Sequence, residues 1–128
     1  MADPQRRGRG LEWFEKVMGF RPPAVPEDPF LDATIDHLFA ELWSRPGLSI
    51  RDRRLVTLTV LMQLGNEQTL KLHFGAAMRQ KQLTDAEIDE LILHAAHYAG
   101  WPVAAVSSQI VRQLRAERDK AAGGVASG

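Results

Sequence analysis

His73 lies within an otherwise apolar helical stripe, Leu70, His73, Phe74 and Ala77. An imidazole in such a setting has a shifted pKa and can exchange protons near neutral pH. The alternative is a packed ring bonded to a backbone carbonyl, and spacing leaves both open. Arg51, Arg53 and Arg54, with Arg45 just upstream, gather positive charge where a helix begins. Helix N-termini favour anions and guanidinium groups grip carboxylates in pairs, so a small di-acid would suit them. Surface arginines paired with Asp52 and Glu41 are the competing reading. His94 and His97 fall about 60° apart on a helical wheel, away from the core stripe, with Glu90 one turn earlier. That pattern fits a solvated or subunit-contact face; as a metal site it lacks a third ligand at a recognisable offset. Trp43 and Trp101 sit at helix ends, as packing or as ligand platforms.

Several chemistries are excluded. The chain has no cysteine, so disulfides, thiolate zinc sites and thiol-based peroxide reduction are ruled out. No serine nucleophile elbow, phosphate loop or dinucleotide fingerprint is present. Lys plus Arg and Asp plus Glu each number 16, and the zero net charge gives no sign of a nucleic-acid or acidic-membrane partner. Zero charge also removes one barrier to self-association. No apolar run approaches the ~18 residues of a membrane span. The basic start MADPQRRGRG is followed by no apolar signal segment, so a cytoplasmic protein is expected.

The elements that position these residues are helical throughout. Residues 1–10 are polar and Gly-rich and are expected to be mobile. Residues 11–19 can form two helical turns stopped by Gly19. The segment 21–29 holds four prolines and reads as an extended arm over the domain, its aromatic flank (Trp13, Phe14, Phe20) docking on the domain or on another subunit. Leu31, Ile35, Leu38, Phe39 and Leu42 predict a helix over 29–43. Ser49 with Asp52 predicts a capping box and a helix apolar nearly all round, hence buried on most sides. Gly65-Asn66 ends it and caps the His73 helix. Thr84 with Glu87 caps a helix to Tyr98, with Ile88, Leu91, Ile92, Ala95 and Ala99 inward. Pro102 suits the first turn of a last helix whose Val103, Val106, Ile110 and Leu114 face the core. Three parts follow: an arm (1–27), a helical domain (28–120) and a disordered tail (121–128). The class is all-α, a compact bundle of five or six helices.

WSRPGLSIRDRRLVTL (43–58), LHFGAA (72–77) and YAGWP (98–102) resemble the carboxymuconolactone decarboxylase family, and the similarity runs over about residues 28–115. The resemblance implies a small all-α subunit that assembles into a homo-oligomer, a trimer or hexamer. In the alkylhydroperoxidase-like branch a Cys-x-x-Cys, a histidine and a glutamate would fall at Asn66, Thr69, His73 and near Arg54. Only the histidine remains, so peroxide chemistry is excluded. The branch without cysteines implies a cofactor-free lyase acting on a carboxylated lactone from aromatic catabolism. Cations hold the carboxylates, CO₂ leaves into the conjugated lactone, and a general acid quenches the dienolate. His73 and His94 are the expected catalytic pair, and Arg51, Arg53, Trp43 and Glu41 the expected substrate-binding set. No metal ligand is expected. An isomerase or cyclase on another enol or carbonyl substrate, and a non-catalytic oligomer, are the alternatives.

Overall fold

A computed structural model describes residues 3–127 and the side chains of 3–123. It contains six helices and, among the described residues, no strand. Helix α1 (Pro4–Met18) begins earlier than composition predicts. Asp3 caps it by accepting from the Gln5 N–H, Pro4 occupies its first turn, and Gly19 (φ 80°) ends it. Residues 4–10 are therefore ordered in the helix rather than a loose lead-in, because α1 is clamped from the side. Arg7 reaches Asp36 at 2.5 and 2.8 Å and Asp32 at 2.8 Å, and Arg6 pairs with Glu41. Gly10 lets the helix lie flush against the next element: a Cβ there would sit 2.1 Å from the Ile35 carbonyl oxygen.

That next element starts as α2 (Pro29–Ala33), capped by Asp28, and continues as a π-wound segment, Thr34–Trp43. The span agrees with the sequence expectation; the winding does not. Thr34 and Ser44 each bond their hydroxyl to the carbonyl four residues back, at 2.8 and 2.6 Å, competing with the ordinary α-ladder at both ends. The aromatic flank of the arm packs within the chain, with Phe14 against Phe39 at 4.7 Å and against Phe20 at 5.4 Å between ring centres.

Helix α3 (Ile50–Leu64) is capped by Ser49, which accepts from Asp52 N–H, and is closed by Gly65. Its side chains correct the expectation of burial on most sides. Only Arg54, Leu58 and Met62 are buried, while Val56, Val60 and Leu64 are 57, 51 and 72% exposed. Helices α4 (Glu67–Arg79), α5 (Asp85–Ala99) and α6 (Trp101–Ser127) cover one side of α3, and the row Val56, Val60 and Leu64 stays exposed among the described residues. Asn66 caps α4, and Thr84 with Glu87 forms the reciprocal capping box of α5. Helix α6 extends to Ser127, beyond Lys120, where the sequence reading ended the domain.

Two apolar cores result. The larger joins α3 to α6 around Leu58, Met62, Leu70, Phe74, Ile88 and Val111. The smaller joins α1, the π segment and α4 through Val17, Met18, Phe39, Trp43 and Ala76. Arg54, fully buried, is in contact with both Met18 and Trp43 of the smaller core.

Candidate active site

A cavity of about 300 Å³ opens between the π segment, α3 and α4. Leu38, Phe39, Leu42, Trp43, Leu48 and Val56 supply its apolar walls, and Arg53, Thr57 and His73 its polar groups. The π winding brings residues four and five apart onto one side, which is how Leu38, Leu42 and Trp43 reach the same wall. No carboxylate lines it.

His73 projects from the middle of α4 and is partly buried. Its Nδ1 lies 2.7 Å from Nη1 of Arg54. A guanidinium only donates, so Nδ1 accepts and the ring proton resides on Nε2, which meets no hydrogen-bond partner among the described residues. Burial, and then the neighbouring Arg54 charge, push the ring's pKa down to about 4. At neutral pH it is an uncharged N–H donor.

Arg54 is held from every side without a counter-ion. Nη2 donates to the Val17 carbonyl, Nε donates to Gln82 Oε1 at 3.0 Å, and the guanidinium carbon lies 5.4 Å from the Trp43 ring centre. Burial, and then the charge of Arg79, lower its pKa to about 10, which leaves it a cation at neutral pH. Arg53 donates from Nη2 to the Arg45 carbonyl at 3.1 Å and has no carboxylate partner; its buried Nε has no acceptor at all. The site thus holds two cations, a neutral imidazole and no anion, inside largely apolar walls.

Of the residues expected from sequence, His73, Arg53 and Trp43 come together here. The other three are placed elsewhere. Arg51 is exposed and pairs with Glu87 across to α5. Glu41 is turned to Arg6 and, at 2.8 Å, to His37, where it ties the π segment to α1. His94 is exposed on α5 and stacks on Tyr98 at 5.4 Å, away from the cavity lining. His97 caps back onto the Leu93 carbonyl at 2.8 Å. Among the described residues no group of three His, Asp or Glu could hold a metal.

Arg54 is the residue that sequence reasoning grouped with Arg51 and Arg53 at the head of the helix without a role of its own. The signal was available on the helical wheel: Arg54, Leu58 and Met62 follow one another at intervals of four, so Arg54 shares the buried stripe of α3.

Comparison with known proteins gives the family. The chain is 34% identical over 121 residues to a 4-carboxymuconolactone decarboxylase of Acinetobacter baylyi, covering 89% of this chain and 90% of that one. It is 38% identical over 104 residues to a nitrosuccinic acid decarboxylase of Metarhizium robertsii, covering 81% and 70% respectively. The family model described as carboxymuconolactone decarboxylase matches residues 28–113. With that span including the π segment, Arg53, Arg54 and His73, this chain belongs to the carboxymuconolactone decarboxylase family.

Proposed function

We propose that the protein is a carboxy-lyase that decarboxylates a small poly-carboxylated substrate, a lactone di-acid being the leading case. The observation that carries this reading is a cavity lined by one cation, Arg53, no anion and an imidazole with an unengaged N–H, with the buried Arg54 behind that imidazole. Both relatives are named as decarboxylases of small carboxylated compounds, which supports the same class.

The chemistry follows from charge. The Arg53 guanidinium pairs with the carboxylate that stays, and apolar walls desolvate the one that leaves. The C–C bond to the leaving carboxylate breaks, CO₂ departs, and the electron pair runs through the ring alkene to the lactone oxygen. His73 Nε2–H donates a hydrogen bond to that oxygen as charge builds there and keeps its proton, while water protonates the dienolate carbon and leaves hydroxide to the solvent. The substrate is its own electron sink, so the scheme uses no cofactor.

The exposed apolar row Val56, Val60 and Leu64 on α3, continuous with Leu48 and Leu42 at the cavity rim, supports assembly into a homo-oligomer, a trimer or hexamer. No helix among the described residues is long and apolar enough to cross a membrane, in keeping with a cytoplasmic enzyme of aromatic-compound catabolism.

The test is to incubate the purified protein with 4-carboxymuconolactone and with nitrosuccinate and to follow CO₂ release. Release from at least one, lost in His73→Ala, is expected. A folded protein that frees no CO₂ from either would overturn the reading, and conversion without CO₂ would point to an isomerase or cyclase.

A further inference from the structure

We propose that Arg54 is a positioning residue that, anchored on the C-terminal turn of α1, holds His73 as the Nε2–H tautomer. The inference rests on the reading of the cavity as the active site. A helix ends with four carbonyls that lack intrahelical partners. In α1 these belong to residues 15–18, and each is engaged. Gly19 N–H takes Glu15, Gln80 Nε2 takes Lys16 at 3.1 Å, Arg54 takes Val17, and Arg79 takes Met18 at 2.9 Å. The C-terminal end of a helix is its negative pole, and here it replaces the missing carboxylate beside a fully buried guanidinium. Gln82 and the Trp43 face fix the same group from two other directions.

Held in this way, Arg54 turns Nη1–H toward Nδ1 of His73 and, as a guanidinium, cannot accept a hydrogen bond from it. The charged groups facing the ring are Arg54 from α3 and Arg53 on the cavity wall. Trp43 and Thr57 do not titrate in the working range, and no acid faces it. The ring therefore serves as a neutral donor, a role in which imidazole can polarise a carbonyl. The anchoring helix, Pro4–Met18, lies outside the residues 28–113 that match the family model, so a segment beyond the matched region completes the site.

Histidine ¹⁵N NMR of the full-length protein tests this without substrate. The wild type is expected to show His73 as Nε2–H at pH 7, with no titration down to about pH 5. In Arg54→Met the single tautomer is lost, the titration moves up toward the ordinary value of 6.5, and the pH profile of kcat gains an acid limb. In Arg54→Lys, which keeps a charged donor, the tautomer returns. An Nδ1–H ring or an imidazolium in the wild type at pH 7 would overturn the proposal, even if Arg54→Met did not fold. So would an unchanged tautomer in folded Arg54→Met. A locked tautomer in a protein that releases no CO₂ would instead sink the decarboxylase reading alone.

Discussion

Nη1 of Arg54 and Nδ1 of His73 lie 2.7 Å apart, although nineteen residues separate them in the chain. A buried cation next to an imidazole adds to burial in opposing protonation of that ring.

Removal of the imidazole comes first. His73→Gln is expected to lower kcat by about 10²- to 10⁴-fold and to change KM little, because the ring acts on charge that appears only in the transition state. Steady-state kinetics with a circular-dichroism control check this. An equal loss in KM alone would assign His73 to binding.

In the proposed reaction Arg53 is the group that meets the ground-state carboxylate. Arg53→Gln is expected to raise KM for a di-acid by about 10- to 100-fold, the worth of a charged hydrogen bond, with a smaller rise for a mono-acid. Identical effects on both substrates would detach Arg53 from the second carboxylate.

Stability should depend on pH through His73. Its folded pKa is about 4 against an ordinary 6.5, so between these values the unfolded chain binds more protons. Stability then rises with pH from about 4 to 6.5 and levels off above, by at most about 3 kcal/mol from this group. Urea melts of wild type and His73→Phe across pH 4–8 measure it; the variant should lose this part of the slope.

Gly10→Ala should loosen α1. The new methyl would sit 2.1 Å from the Ile35 carbonyl oxygen, and backbone cannot swing aside as a flexible side chain can. A loss of about 1–3 kcal/mol is expected, seen as a lower melting temperature. Because α1 anchors Arg54, kcat should fall as well; an unchanged melting temperature would show that α1 shifts freely.

The outer face of α3 is tested by Val60→Glu. Light scattering should show a smaller assembly than wild type, with helix content retained. An unchanged mass would mean that this face is not the contact.

Much of the architecture was legible from residues alone. Capping signals at Ser49, Asn66, Thr84 and Gly65 act within one turn, and the structure places helix ends where they stand. The stripe Leu70, Phe74 and Ala77 set the inward face of α4, and the missing cysteines removed a whole class of chemistry. Where local signals were absent, the sequence misled. The order of residues 4–10 arises from contacts with another segment, Arg7 with Asp36 above all, and the π winding of 34–43 carries apolar spacing that reads as an ordinary helix.

The site divides in the same way. Residue type and helical period determined that His73 would stand in an apolar surround and that arginines would crowd the head of α3. The spacing of Arg54, Leu58 and Met62 marks which arginine turns inward, but only the tertiary structure decided what each arginine meets. Arg51, Arg53 and Arg54 lie within four positions, and their directions differ by about 100° per residue. One meets Glu87, one a cavity, and one the carbonyl end of a helix some 37 residues earlier. Long-range contacts of that kind leave no mark in local sequence, since a backbone carbonyl carries no residue identity.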